Sequence, residues 1–139
     1  MSRELRLVSW NVNGLRAVMK KDPSFTDVVA ATNADVFAIQ ETKLQEAQLE
    51  KLDLALPGYH QTWSHAERKG YSGTAVFSRE EPLRTLHADA MLPLAHEVLG
   101  ADEEELFSVA ATEGRVCALE FESYWFVDVY TPNAQGELA

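Results

Sequence analysis

The chain has 139 residues, of which 46% are hydrophobic and 24% are charged, a composition typical of one folded domain and unlike that of a disordered or fibrous chain. Its 22 Asp and Glu residues against 12 Lys and Arg give a formal net charge of −10. Such a chain is repelled by nucleic acid unless its basic groups cluster or a cation bridges the two. Cys117 is the only cysteine, which excludes an internal disulfide and a cysteine-based zinc cluster.

The sequence lacks the signals of several other protein classes. No apolar run approaches the roughly 20 residues of a membrane-spanning helix, and the first residues lead into a strand rather than a signal sequence. We therefore expect a cytoplasmic protein with no membrane partner, and we treat residues 1–139 as one domain. The four histidines lack the spacing of a zinc helix, and the chain has no glycine-rich phosphate loop and no G-x-S-x-G elbow. Covalent catalysis is therefore not indicated.

The first third of the chain alternates strands with a helix. Residues 5–10 form a short apolar run that predicts a strand followed by a polar turn. Ser24 or Thr26 is placed to cap a helix that runs to about Thr32. Residues 35–40 are continuously apolar in their middle, as in a strand that is buried on both faces.

The middle of the chain predicts one helix and two strands. Leucines recur at helical spacing over residues 45–56 and a Pro-Gly pair follows, which predicts an amphipathic helix with a sharp end. Residues 59–65 alternate like a half-exposed strand. A basic, glycine-flanked turn at residues 68–73 then precedes a strand at residues 74–78.

The remaining elements are a strand and a hairpin, separated by a segment with a weak pattern. Residues 83–87 predict a strand. Residues 91–111 indicate only a helix over 93–99 and a helical turn at the acidic residues 102–105. Residues 115–121 and 124–130 predict a β-hairpin. The order of elements predicts an α/β or α+β fold, a mixed β-sheet with helices on one face. The other face of that sheet must also be covered.

Three of the predicted strands end in polar clusters. These are Asn11 with Asn13, Gln40 with Glu41 and Lys43, and Tyr130 with Thr131 and Asn133. Loops that leave strand ends at one edge of a sheet often form an enzyme site, because the sheet positions them. The alternative is that these residues are polar only because turns lie in water. From spacing alone, both interpretations stay open.

The chemistry of these residues suits a metal and a phosphate. A carboxylate such as Glu41, directly after an apolar run, is a good ligand for Mg²⁺, although it could equally be a loop carboxylate or pair with Lys43. Asn11 and Asn13 could complete an oxygen shell or hold the carboxylate in place, and the alternative is that they form Asx turns. Tyr130 could donate its phenol to a phosphate oxygen or simply pack its ring with the hydroxyl in water.

Five blocks along the chain carry a family resemblance. They are WNVNGLR (10–16), QETK (40–43), GYSGTA (70–75), EGRV (113–116) and VYTPNAQ (129–135). In this order they closely resemble the exonuclease III family of abasic-site endonucleases, within the endonuclease/exonuclease/phosphatase superfamily. The resemblance implies a four-layered α/β sandwich. It also implies hydrolysis of double-stranded DNA at abasic sites and 3′ ends, with Mg²⁺, or Mn²⁺ in its place, as the cofactor.

The resemblance also assigns roles to individual residues. Glu41 would bind the metal with Asn11 beside it, and Asn13 stands where relatives also have aspartate. Tyr130 and Asn133 would hold the scissile phosphate, with Tyr130, Asn11 and Glu41 as the catalytic set. The residues implied to contact DNA or to support the site are Arg16, Tyr71 and Lys43.

This sequence departs from the family in length. The resemblance covers almost the whole chain but only about half of a typical relative, whose later G-D-x-N and S-D-H blocks activate water and contact the phosphate. We therefore expect an amino-terminal half of the domain that is weakly active or inactive alone and self-associates through an uncovered sheet face. The alternatives are a phosphoinositide or sugar-phosphate phosphatase of the same superfamily and a non-catalytic DNA-binding fragment.

Overall fold

The computed structural model describes residues 4–87 and 112–131. In these two stretches the chain forms, in order, β1 (Leu7–Asn11), α1 (Leu15–Met19), α2 (Phe25–Thr32), β2 (Val36–Gln40), α3 (Glu46–Leu52), β3 (His60–Ser64), β4 (Thr74–Ser78), β5 (Arg84–Leu86), β6 (Val116–Glu120) and β7 (Trp125–Val129). None of the described helices is long and apolar enough to cross a membrane.

The strands form two sheets that pack face to face. The first sheet has the order β1-β2-β4-β3, with β1 and β2 parallel and the other pairs antiparallel. The second sheet has the order β5-β6-β7 and is antiparallel throughout. Between the sheets, Val36, Ala38 and Val76 of the first pack against Cys117 and Leu119 of the second.

The helices cover the opposite face of the first sheet. In α2, Ser24 and Asp27 form a capping box at the start, and Asn33 ends the helix in the left-handed conformation. Phe25 lies completely buried, with its ring centroid 6.0 Å from that of Phe37 on the sheet. Burying a side chain of this size contributes roughly 1.5–3 kcal/mol, so the α2 interface is a main part of the core.

The predicted fold class is confirmed, and the structure adds a second sheet. The described part has three layers, helices on a four-stranded sheet on a three-stranded sheet, and matches about half of the family fold. The sequence predicted a single mixed sheet, because alternation within a strand does not show which strands pair. Phe37 and Ile39 face the helices, whereas Val36 and Ala38 face the second sheet. The continuous apolar run of β2 therefore needs cover on both sides.

Two helices differ from the prediction. The sequence pattern did not predict α1, because its five residues bury only Leu15 and Val18, too few to show helical spacing. The predicted helix over 45–56 ends at Leu52, because Asp53 takes the left-handed conformation at φ 51°. The helix predicted over 93–99 and the acidic turn lie outside the described residues.

The outer face of the three-stranded sheet is exposed. Trp125, Val127 and Val129 alternate along β7 and are 46%, 51% and 55% exposed. On the other face of the same strand, Asp128 is buried. Trp125, Val127 and Val129 of β7 thus face outwards, whereas Asp128 faces the core together with Phe126.

Candidate active site

The loops that follow β1 and β2 meet at one edge of the first sheet. The two strands are parallel and in register, with Asn11 beside Gln40 at their ends. The backbone N–H of Gly14 donates to the carbonyl of Glu41 at 2.7 Å, and that of Leu15 donates to the carbonyl of Thr42 at 3.0 Å. These bonds tie the two loops together and place their side chains side by side.

The backbone at Glu41 is unusual and firmly held. Its φ of 57° lies in the left-handed region, which costs a residue with a side chain roughly 1–2 kcal/mol. The next two N–H groups, of Thr42 and Lys43, donate to the carbonyls of Gly73 at 3.1 Å and Ser72 at 2.8 Å. The loop before β4 therefore fixes the direction in which the Glu41 side chain leaves the sheet.

The side chains at this edge form a hydrogen-bonded chain. The amide nitrogen of Asn11 donates to Oε2 of Glu41, and Oδ1 of Asn11 accepts the backbone N–H of Asn13 at 3.0 Å. Nζ of Lys43 donates to Oδ1 of Asn13 at 2.7 Å. Asn11 thus forms an Asx turn through Oδ1 and holds the Glu41 carboxylate through its amide nitrogen, so the two contacts coexist.

Tyr130 reaches this cluster from the second sheet. It follows β7, and its backbone N–H donates to the carbonyl of Arg115 at 2.8 Å. Partial removal from water raises the pKa of the Tyr130 phenol, and the Glu41 carboxylate raises it further by its charge and a hydrogen bond. Arg115 acts in the opposite direction and lowers this pKa. The phenol therefore stays protonated at neutral pH and is a hydrogen-bond donor beside Glu41.

Tyr71 lies next to Tyr130 in a small cationic group. Nη2 of Arg115 donates to the Tyr71 hydroxyl at 2.9 Å and also pairs with the carboxylate of Glu113. The guanidinium of Arg68 lies 5.2 Å from the centroid of the Tyr71 ring. No role for Arg115 was predicted from the sequence. Its place in the EGRV block was the signal that could have identified it as a site residue.

Gly114 explains how Arg115 reaches this position. A Cβ at this glycine would lie 2.6 Å from the backbone nitrogen of Ala66, and its φ of 61° is left-handed. The backbone before β6 therefore passes directly against the end of β3, which only glycine permits. This close approach brings Arg115 to the edge where Tyr71 lies.

Arg16 lies beside the cluster rather than in it. It lines a pocket of about 470 Å³ together with Lys20, Lys43 and Gly70. Lys43 is shared between this pocket and the hydrogen-bonded chain. The structure thus brings Asn11, Glu41, Lys43, Tyr71 and Tyr130 together and places Arg16 next to them. Asn133 lies outside the described residues.

The donor set at Glu41 fits a hard cation such as Mg²⁺. The carboxylate is partly exposed, and Asn11 orients one of its oxygens. Mg²⁺ keeps several waters and often binds through one or two carboxylates, so a single well-oriented carboxylate suits it. In residues 4–87 and 112–131, no group of three His, Cys, Asp or Glu side chains is placed to hold a metal. The described residues therefore do not provide the protein ligands of a zinc site.

Comparison with known proteins gives the class. Residues 8–129 match the Endonuclease/Exonuclease/phosphatase family, which is most of the chain. The chain belongs to this family. The catalytic domain of APE2 from Xenopus laevis superposes with a TM-score of 0.72 at 26% identity, covering 94% of this chain and 46% of that domain. An AP endonuclease from Archaeoglobus fulgidus has the same fold, with a TM-score of 0.65 at 23% identity.

The relatives define the branch of the family. The exodeoxyribonuclease of Bacillus subtilis is 43% identical over 134 residues, which are 96% of this chain and 45% of that protein. The DNA repair nuclease APEX1 of Danio rerio is 35% identical over 96% of this chain and 38% of its own length. Within the family, the chain is thus similar to exodeoxyribonucleases and AP endonucleases, the likeness that its five blocks predicted. It spans less than half the length of these two relatives.

Proposed function

We propose that this chain carries the metal-binding and phosphate-binding part of a Mg²⁺-dependent DNA nuclease that acts at abasic sites and 3′ ends. The observation that supports this most is the Glu41 carboxylate, held by Asn11 on one sheet, next to the protonated Tyr130 phenol on the other. A metal ligand beside an uncharged donor is what hydrolysis of a phosphodiester needs. The names of the relatives, an exodeoxyribonuclease and a DNA repair nuclease, support the same substrate class.

Each residue of the cluster has a distinct part in this proposal. Glu41 would hold Mg²⁺, for which Mn²⁺ could substitute, and the bound ion would neutralise charge on the phosphoryl group and lower the pKa of a water. Asn11 keeps the carboxylate pointed at the site. Tyr130 donates its phenol proton to a phosphate oxygen in a hydrogen bond without adding a charge to desolvate. Asn133, by the resemblance, would contact the same phosphate.

The DNA strand would lie over the basic side of this edge. Arg16, Lys20 and Lys43 line one pocket, and Arg68 lies on Tyr71 nearby. Clustered cations give the local attraction that a chain of net charge −10 otherwise lacks. We propose that Arg16 and Tyr71 contact the DNA, with Lys43 acting through Asn13 on the metal-binding loop.

The proposal includes low activity for this chain alone. Two of its relatives are more than twice as long, and the cluster of described residues has one carboxylate beside Asn11 and Tyr130, so the groups that activate water would lie outside the described residues. We also propose that the chain self-associates through the exposed face formed by Trp125, Val127 and Val129.

The direct test is a duplex with one abasic site, assayed with the 139-residue chain and Mg²⁺. We expect Mg²⁺ to strengthen binding of the duplex, with slow or no incision at the abasic position. The Mg²⁺ effect should disappear in Glu41→Gln and persist in Glu50→Gln, a control that removes an exposed carboxylate on α3. A binding affinity that is insensitive to Mg²⁺ in all three proteins would contradict the metal role of Glu41.

Other outcomes of the same assay separate the alternatives. Efficient turnover that Glu41→Ala abolishes would contradict the low activity proposed for the isolated chain. Release of inorganic phosphate from a phosphoinositide or sugar phosphate, with no action on the abasic duplex, would favour the phosphatase. Salt-dependent binding of DNA without any Mg²⁺ effect or product would favour a non-catalytic binding module.

A further inference from the structure

A buried carboxyl group lies between the two sheets, close to the candidate site. The side chain of Asp128 on β7 is only 3% exposed, and its Oδ1 accepts a hydrogen bond from Nε2 of Gln40 at 2.8 Å. Its Oδ2 is buried without a partner among the described residues. The same Gln40 nitrogen donates to Oγ of Ser9 at 3.0 Å, so the contact joins β7 to β2 and β1.

The position of this pair along the strands is informative. Gln40 is the last residue of β2, immediately before Glu41, and it pairs with Asn11 across the sheet. Asp128 lies two residues before Tyr130, so the strand alternation directs both side chains to the same face. The Asp128–Gln40 hydrogen bond therefore lies next to the site, one residue before Glu41 on one strand and two residues before Tyr130 on the other.

The described residues that pair with Asp128, Gln40 by a hydrogen bond and Cys117 across the strands, are uncharged. Its cross-strand neighbour on β6 is Cys117, whose thiol contacts Thr74. Burial raises the pKa of the Cys117 thiol to about 12. Burial also raises the pKa of Asp128 to about 7, partly offset by the Gln40 hydrogen bond. Elsewhere the sheets meet largely through apolar side chains such as Val36, Ala38 and Leu119. A buried polar contact such as the Gln40–Asp128 hydrogen bond contributes little to stability. In some proteins such contacts instead specify one relative position of the packed elements.

We propose that Asp128 is a positioning residue, which through its hydrogen bond to Gln40 fixes the Tyr130 phenol of the second sheet against the Glu41 carboxylate of the first. The site draws its metal ligand and its phenol from different sheets. Near β3 these are also joined by the backbone N–H of Glu67, which donates to the carbonyl of Thr112 at 2.9 Å, and by the Arg115–Tyr71 hydrogen bond. The Gln40–Asp128 hydrogen bond is the link from β2 to β7. The directional bond between Gln40 and Asp128 holds the register at the site end. The catalytic purpose of this arrangement rests on the proposed function, whereas the position of Tyr130 relative to Glu41 can be measured without DNA or metal.

The test uses the ¹³Cζ signal of Tyr130 in the metal-free chain at pH 7, with tyrosine labelled and the signal assigned by Tyr130→Phe. The measured quantity is the change in chemical shift when Glu41 becomes Gln, because that change reports the contact between phenol and carboxylate. It is determined in the wild-type, Asp128→Asn, Asp128→Leu and Gln40→Leu backgrounds. Cys117→Ala is the matched control, since it alters the buried cross-strand neighbour of Asp128 and leaves the Gln40 bond in place.

The expected pattern is specific. Asp128→Asn retains an acceptor for Gln40 and should keep the full wild-type change, as should Cys117→Ala. Asp128→Leu keeps the branched shape and the number of side-chain heavy atoms but removes the acceptor, and Gln40→Leu removes the donor, so both should lose more than half of the change. Asp128→Leu removes a buried carboxyl and should remain folded, which circular dichroism checks.

Two results would overturn the proposal. One is a full wild-type change in folded Asp128→Leu and Gln40→Leu, and the other is an equal loss in the Cys117→Ala control. A chain that fails to bind Mg²⁺ or DNA would contradict the proposed function and leave this measurement intact. Conversely, a Glu41-dependent nuclease in which Asp128→Leu keeps the full shift would retain the function and contradict the role of Asp128.

Discussion

The two sheets of this chain differ in how completely they are covered. The central strands of the four-stranded sheet, β2 and β4, are buried, with α1 and α2 on one face and the second sheet on the other. In residues 4–87 and 112–131, the inner face of the three-stranded sheet packs on the first sheet, whereas Trp125, Val127 and Val129 are exposed on its outer face. Glu41 follows β2, a buried central strand, and Tyr130 follows β7, a strand with exposed apolar residues on one face. We therefore expect the Glu41 side of the site to be more rigid than the Tyr130 side.

The largest expected effect contrasts a buried side chain of the first sheet with an exposed side chain of the second. Phe77→Ala removes a completely buried ring that contacts Phe25 and Trp63, and it should lower the free energy of unfolding by about 3–5 kcal/mol. Val127→Ala on the exposed face should cost less than about 1 kcal/mol. Urea unfolding of both variants measures this, and equal losses would show that the exposed face is packed in solution.

The second expected effect concerns the place where the sheets meet. Because burial raises the pKa of Asp128 from 3.8 to about 7, the folded chain keeps a proton that the unfolded chain releases between these values. Asp128 therefore reduces stability as the pH rises from about 4 to above 7, by up to about 4 kcal/mol at roughly 1.4 kcal/mol per unit. Urea unfolding at pH 5 and pH 8 should show a steeper loss for the wild type than for Asp128→Asn. Equal pH profiles would contradict the buried carboxyl.

The third expected effect concerns the exposed face itself. If the chain self-associates there, Val127→Lys should weaken association at least tenfold, which is about 1.4 kcal/mol, because it places a charge among Trp125, Val127 and Val129. Analytical ultracentrifugation measures the dissociation constant. Ala47→Lys, on the exposed surface of α3, is the control. A wild-type chain that stays monomeric at high concentration would contradict the association.

The smallest expected effect concerns the basic pocket beside Glu41. Arg16→Ala should weaken binding of duplex DNA and lower the slope of log K against log salt by about 1, the value for one lost phosphate contact. Lys51→Ala, which removes an exposed cation in the last turn of α3, should leave the slope unchanged. An unchanged slope in Arg16→Ala would place the DNA elsewhere.

Local chemistry in the sequence predicted much of the fold. The residues 74–78 that form β4 and the cap of α2 at Ser24 are both in the structure, because a β-rich run and a capping box depend on neighbouring residues. The five-residue α1 and the early end of α3 at Asp53 were not predicted, because a few residues at helical spacing carry too weak a signal.

The sequence was less informative about long-range pairing. In β7 the valines alternate with Asp128, a pattern that normally places the valines inside, yet the structure buries Asp128 and exposes Val127 and Val129. Which face of a strand is covered depends on the neighbouring layers, and the strand itself does not encode it. For the same reason the contacts of Gln40 with Asp128 and of Arg115 with Tyr71 could be found only in three dimensions.

The central claim is that Glu41 holds a divalent cation, and a Mn²⁺ titration of the metal-free chain followed by electron paramagnetic resonance tests it most directly. We expect one Mn²⁺ site whose affinity falls at least tenfold, or about 1.4 kcal/mol, in Glu41→Gln and is unchanged in Glu50→Gln. Equal affinities in the wild type and Glu41→Gln would contradict it.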